Sequence, residues 1–388
     1  IKNDNLNENQ GFIVSFDLAV IGLGGIGSSV LNYSTEIGLN VIGIDQFSPP
    51  HTFGSSHGET RAFRQAYFEH ENYVPMLKEA YSMWKKFALN SKKDIFCETG
   101  VLALGKPDGN LISGMNKSSK LHDISIDKIP SSKLSYKYPY FNVPKNFEAI
   151  LEKKAGTLFI ENIISENLKI AKSNGANVLL NSQLTNWNSE GKLIELFCSN
   201  QVLKTKRLVI CAGAWSDNLL SKLGMDLKIR LKHMHWINNS DQRMSINNGC
   251  PVFCFESDKH IFYGFPEINK NRIKIAQHTG GTLISKPSQK TNLRENFELQ
   301  TTQALLEKHI PFLNFDTVKH DTCLYTMSPD EHFIVDNHPN DNRISFAAGL
   351  SGHGFKFSNI LGKILCDLVT ENENELNIDF LKLKRFNH

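Results

Sequence analysis

Apolar residues run almost without interruption from Phe16 to Ile21 (FDLAVI), the pattern of a strand buried on both faces of a parallel sheet. The run passes directly into Gly22-Leu23-Gly24-Gly25-Ile26-Gly27. Ile26, Val30, Leu31 and Ile37 then recur at roughly helical spacing up to Gly38, a natural C-terminal cap. Asn40 to Ile44 (NVIGI) is a second apolar strand, closed by Asp45. Together these make one complete βαβ unit. Asn177 to Asn181 (NVLLN) and Arg207 to Gly213 (RLVICAG) predict further buried strands, the latter followed by a helical Ser216 to Leu223. Near the end, Arg343 to Gly349 (RISFAAG) leads through a glycine-rich turn, Leu350 to Phe357, into a helix over Ser358 to Val369. Between these pieces, Ile95 to Leu104, Val252 to Phe265 and Arg272 to Ile284 alternate as antiparallel strands do. The pattern predicts an α/β protein in which a discontinuous Rossmann-like domain is threaded by a substrate domain on a mainly antiparallel sheet.

Each part of the first unit has a physical task. Gly22 permits the tight turn, Gly24 lets a pyrophosphate approach the backbone, and Gly27 lets helix and strand pack closely. The free N–H groups and positive dipole end of the helix then hold the phosphate. Asp45 follows Gly27 at close to the roughly 20-residue distance at which an acid meets the ribose hydroxyls. An acid there argues against a 2′-phosphate. NAD and FAD both satisfy this unit.

Composition narrows the function classes. The 388 residues carry 43 Lys and Arg against 40 Asp and Glu, a formal charge of +3, so no broad basic surface for nucleic acid or a membrane is expected. No apolar run approaches the roughly 18 residues of a membrane-spanning helix. Seven scattered cysteines, an odd number, argue for reduced thiols in the cytoplasm rather than a disulfide framework. Neither a CxxC nor an HExxH occurs, Cys250 and Cys254 lack a partner pair, and His233-Met234-His235 supplies two ligands at most. No metal site is expected. Ile1 to Gln10 is polar and Asn-rich, without the apolar stretch of a signal peptide, so residues 1–14 are expected to be a disordered leader. The chain begins without Met, and its true start is expected to lie upstream.

Longer motifs follow one another in order. They are Pro49-Pro50-His51, Gly54-Ser55-Ser56-His57-Gly58-Glu59-Thr60-Arg61 with Arg64 and Tyr67, and Tyr73-Val74-Pro75. Tyr263-Gly264-Phe265-Pro266, Lys274, His278-Thr279-Gly280-Gly281, Cys323-Leu324-Tyr325-Thr326, Pro329 to Phe333 and the Gly349 to Phe357 turn come next. In these the chain resembles the monomeric sarcosine oxidase and N-methyltryptophan oxidase family of flavin amine oxidases, over nearly its whole length from Phe16 to Phe386. Lys274 to Gly281, Ser328 to Glu331 and Gly349 to Ser351 look closer to N-methyltryptophan oxidase. One departure is visible: the family has two histidines after Gly-Ser, and here Ser56 stands for the first while His57 keeps the second.

The resemblance implies FAD, attached covalently as a thioether through Cys323. It implies cofactor contacts from Gly22, Gly24, Gly25, Ile26, Gly27, Asp45, Ser55, His57, Arg61, Cys323, Gly352, Gly354 and Lys356. Residues 15–90, 155–225 and 320–388 would form the FAD-binding domain, and 91–154 with 226–319 the substrate domain. Outside its motif Cys323 would read as an ordinary core residue; within it, a thiolate suits attack on an electrophilic flavin methyl. Arg64 and Lys356 would hold the substrate carboxylate, for which a guanidinium fork is matched. Lys274, which its alternating strand alone would make a surface lysine, would sit at flavin N5 and stabilise the anion formed as oxygen is reduced. His278, Tyr263 and Arg61 would line the reacting centre. The implied activity is oxidation of an N-methyl amino acid by oxygen to the primary amino acid, formaldehyde and hydrogen peroxide, in a cytoplasmic monomer. Three alternatives are an oxidase of a cyclic imino acid such as pipecolate, a flavin dehydrogenase, and a flavin-binding protein without catalysis.

Overall fold

The computed structural model describes residues 15–386, apart from 200, 240, 241, 258, 259, 269, 270 and 292–295. The leader expected over residues 1–14 lies outside them. Strand β1 (Ser15–Ile21) runs into helix α1 (Gly25–Glu36) and strand β2 (Val41–Ile44), which pairs with β1 in parallel. On the other side of β1, also parallel, lies Gln201–Ile210, whose end pairs in parallel with Asp341–Ala348. Asn177–Leu179 extends the sheet beyond β2, shorter than the run that predicts it. Helices Ile160–Ser173 and Ser358–Thr370 pack on α1. The last comes so close that a Cβ on Gly362 would lie 2.8 Å from Ser29.

The glycines of the first turn are held by the same closeness. Gly22 has φ +83, and a Cβ on it would meet the Cys211 carbonyl oxygen at 2.5 Å. A Cβ on Gly27 would stand 1.8 Å from the Gly22 carbonyl oxygen. No side chain can occupy either position without moving the backbone.

A second sheet, mostly antiparallel, runs through Lys228–Asn238, Arg272–Gln277, His260–Phe265 and Val252–Ser257 to Val101–Gly105. Three strands, β3 (Thr60–Phe63), Gly156–Phe159 and Phe96–Cys97, form a small separate sheet. Two expectations change here. Ile95 to Leu104 does not belong to one antiparallel sheet: Phe96–Cys97 and Val101–Gly105 join different sheets, with Gly100 at φ +73 turning the chain between them, and Val101–Gly105 pairs in parallel with Val252–Ser257. The expected domain boundary at 320 falls inside the strand Thr317–Met327, which pairs along its length with Lys228–Asn238 in the antiparallel sheet. Residues 320–327 therefore belong to the antiparallel sheet. Among the described residues no helix is long and apolar enough to cross a membrane.

Candidate active site

A long cleft opens at the C-terminal ends of the parallel strands, where α/β sheets bind their ligands. Gly22, Gly24, Gly25 and Ile26 line it with Asp45, Ser55, Ser56 and Arg61. Gly349, Gly352 and Gly354 line it from the far glycine turn, and Leu324, Tyr325 and Thr326 from the antiparallel sheet. Helix α1 starts at Gly25, behind an N-cap residue, Gly24, that brings no side chain of its own. A Cβ on Gly25 would lie 2.7 Å from the Phe355 ring, so only glycine leaves this passage open. Asp45 accepts from the backbone N–H of Leu23 at 2.7 Å and of Phe47 at 2.8 Å, bracing the turn from which the cleft is built. Ser56, where the resemblance expects histidine, accepts from the Gly25 N–H at 3.1 Å.

A smaller pocket adjoins the cleft. Arg61, Tyr325, Gly352 and Phe355 belong to both walls. The pocket gathers Arg64, Glu69, Cys254, Tyr263, His278, His353 and Lys356 from segments far apart in sequence. Arg64 is 5% exposed, with the Tyr67 and Phe68 rings 4.5 and 4.3 Å from its guanidinium carbon. Its fork holds Glu69 through two bonds of 2.9 and 2.6 Å. Burial pushes the Glu69 carboxyl up, but Arg64, His353 and Lys356 outweigh it and leave it lowered to about 2. Burial lowers His278 to about 4, so its imidazole is neutral near pH 7. Burial, reinforced by Arg64, lowers Lys356 to about 7.

Other predicted residues lie outside both walls. Gly27 packs against the Gly22 carbonyl. His57 is buried, with Nδ1 3.5 Å from Asp321 and Nε2 3.5 Å from Lys290. Cys323 packs in a buried cluster with Met234, Trp236, Ala276 and Tyr325, one residue from the cleft-lining Leu324. Burial raises its thiol pKa, while Arg61, Lys274, Lys232 and Lys290 pull it back down. Lys274 donates to the carbonyls of Gly58 at 2.6 Å and Thr60 at 2.9 Å and lines a third cavity with Glu59, Glu161, Trp236 and Arg272. Burial, then the charge of Arg61, sets its pKa well below that of a free lysine.

The model of the DAO family, described as FAD dependent oxidoreductase, matches residues 17–368. The chain belongs to this family. It is 31% identical over 383 residues to the monomeric sarcosine oxidase of Arthrobacter sp. (strain TE1826), covering 95% of this chain and 96% of that protein. It is 32% identical over 375 residues to the N-methyl-L-tryptophan oxidase of Yersinia pestis (strain Pestoides F), covering 96% and 100%. Among solved structures, NikD, titled an unusual amino acid oxidase essential for nikkomycin biosynthesis, superposes with a TM-score of 0.82 at 18% identity over 95% of this chain and 97% of its own.

As a DAO-family protein the chain is a flavin-dependent amine oxidase, and its cleft fits FAD. The α1 N-terminus, whose N-cap Gly24 has no side chain, and the glycines without room for a Cβ make a phosphate cradle. Asp45 stands at the end of β2 with a carboxylate that still has acceptor capacity. Sequence reasoning missed Glu69, which offers no motif, only its place five residues after Arg64. It also left Tyr325 and His353 without a role, although both stand inside or beside the motifs that carry the resemblance.

Proposed function

We propose that the protein oxidises N-methyl amino acids of the sarcosine or N-methyltryptophan type. The products are the primary amino acid, formaldehyde and hydrogen peroxide. The observation that carries this reading is the pair of buried cations, Arg64 and Lys356, in the pocket that shares Arg61, Tyr325, Gly352 and Phe355 with the cleft. Two desolvated cations are costly unless an anion completes them, and a substrate carboxylate fits that need. Glu69 is the anion already there, so a substrate carboxylate competes with it for the guanidinium fork.

FAD, when bound, accepts the two electrons and the hydrogen of the N–CH3 carbon. The chain holds the carboxylate at Arg64 and Lys356 and turns the amine toward the cleft. His278, neutral by burial, adds no positive charge beside the amine, which reacts as a free base. Tyr263 and Tyr325, with ring centroids 6.5 and 5.8 Å from that of His278, wall the pocket beside it. A screen of N-methyl amino acids for peroxide release, each beside the matching N-methylamine without a carboxylate, tests the reading. Peroxide from the amino acids alone is the expected result, and equal turnover of the bare amines would reject it.

Covalent attachment through Cys323 is part of the proposal. Burial leaves the Cys323 thiol raised on balance, and the cations Arg61, Lys274, Lys232 and Lys290 work against that burial, toward the thiolate that the bond requires. After acid denaturation the yellow chromophore is expected to stay on the polypeptide, and to be released from Cys323→Ser. Complete release of FAD from the wild-type protein would remove the covalent part and leave the rest standing.

A further inference from the structure

Lys356 is held by groups that the carboxylate clamp does not itself need. Its ammonium donates to the His353 carbonyl at 2.6 Å and to the Tyr67 hydroxyl oxygen at 3.4 Å. The direction of the second bond follows from the next two. His353 Nε2 lies 3.0 Å from the Glu331 carbonyl oxygen, which can only accept, so Nε2 carries the proton. Burial keeps the His353 imidazole neutral, so Nδ1 is bare. The Tyr67 hydroxyl, 2.5 Å from the bare Nδ1, donates to it, with the Glu69 carboxylate as the other acceptor within its reach, and turns its lone pairs to Lys356. Tyr67 is fully buried, and its ring also carries the Arg64 guanidinium on its face at 4.5 Å. Two of the three ammonium hydrogens are thus committed, and the remaining one is left for the pocket that Lys356 lines.

We propose that Tyr67 and His353 are positioning residues that act as one relay, fixing the direction of the Lys356 ammonium and keeping it charged for a carboxylate ligand. The inference rests on Lys356 as a carboxylate ligand, the reading given above. The groups facing Lys356 are Arg61 and Arg64, which oppose its charge, and Glu69 and Cys254, which favour it. His278 and His353 are neutral, so neither compensates for a lost acceptor. The Tyr67 oxygen is therefore one of few groups that hold the proton on Lys356. Without it the ammonium loses an acceptor, and its charge is given up at lower pH. Carboxylate binding, present while Lys356 is protonated, then fails earlier as pH rises.

The test uses the flavin-loaded protein and acetate as a probe, read from the change in flavin absorbance between roughly pH 6 and 9. Tyr67→Phe is expected to move the alkaline loss of acetate binding down by about one pH unit, and to weaken binding about fivefold at the wild-type midpoint. In turnover KM should rise while kcat stays within about twofold. His353→Leu removes the acceptor for the Tyr67 hydroxyl and should shift the same limb. His353→Gln, which keeps both a donor and an acceptor, should restore it. A limb unmoved in Tyr67→Phe, or in His353→Leu should Tyr67→Phe fail to hold flavin, overturns the relay. Lys356→Met separates the two ideas: acetate binding that survives it rejects Lys356 as the ligand, whereas lost binding with an unmoved Tyr67→Phe limb rejects only the relay.

Discussion

Arg64→Ala is expected to lower kcat/KM for an N-methyl amino acid by roughly thirty- to several-thousand-fold, the equivalent of about 2–5 kcal/mol. The corresponding N-methylamine, which lacks the carboxylate, should lose far less. The size of the effect follows from burial: Arg64 is 5% exposed, its fork is engaged in two bonds, and aromatic rings cover its faces. Removing it also strands Glu69, and breaking a buried pair in this way costs about 3–5 kcal/mol of stability. The two losses can be separated by pH. Against the effect of burial, Arg64, His353 and Lys356 lower Glu69 from the ordinary 4.5 of a glutamate to about 2, so its contribution to stability is present above pH 4.5 and lost as pH falls through 2. Urea titrations should show the wild type losing its advantage over Arg64→Ala across that window. Equal kinetic losses for the amino acid and the bare amine would mean that Arg64 serves the fold and not the substrate.

Lys274→Met is expected to slow reoxidation of the reduced protein by oxygen about a hundredfold, corresponding to about 3 kcal/mol, while changing reduction by substrate far less. The asymmetry rests on position. Lys274 lines its own cavity with Glu59, Glu161, Trp236 and Arg272, whereas Arg64, Tyr263, His278 and Lys356 line another. Negative charge develops beside a cation only when oxygen is reduced, since the reductive half moves hydrogen from a neutral amine. Burial depresses the pKa of Lys274, so an arriving anion both meets the ammonium and favours its protonation. The Gly58 and Thr60 carbonyls lose their partner in the variant, so some loss of thermal stability should accompany the kinetic change. Stopped-flow absorbance, with reduction followed anaerobically, measures the halves separately. Collapse of reduction with normal reoxidation would assign Lys274 to the substrate side. No change in either half would leave it a structural lysine holding the Gly58–Thr60 turn.

Much of the dinucleotide half was legible in the chain. Its signals are local: an apolar strand, glycines at fixed offsets, a helix and an acid, all within about thirty residues. The structure adds the steric reason, since Gly22 and Gly27 approach backbone too closely for any side chain. Alternation was a poorer guide in the other half. Ile95 to Leu104 reads as part of one antiparallel sheet, yet Gly100 divides it between two sheets, and all of Val101–Gly105 is buried. Thr317–Met327 could not be assigned to either half from its own residues, because strand pairing over tens of residues decided it.

By itself the sequence determined the cradle, the residue types able to meet a carboxylate, and the order of the motifs. Which of those residues share a pocket was decided only in three dimensions. Tyr67 meets His353 across 286 positions of chain, and Lys274 meets Gly58 across 216. The partner of Arg64 was near in sequence and still hidden, since nothing in a run such as Arg64 to Glu69 shows that both ends turn inward. Charge on a side chain is written in the sequence; the burial that lowers Lys356 and Lys274, and the neighbours that compensate for it, are made by the packing of distant strands.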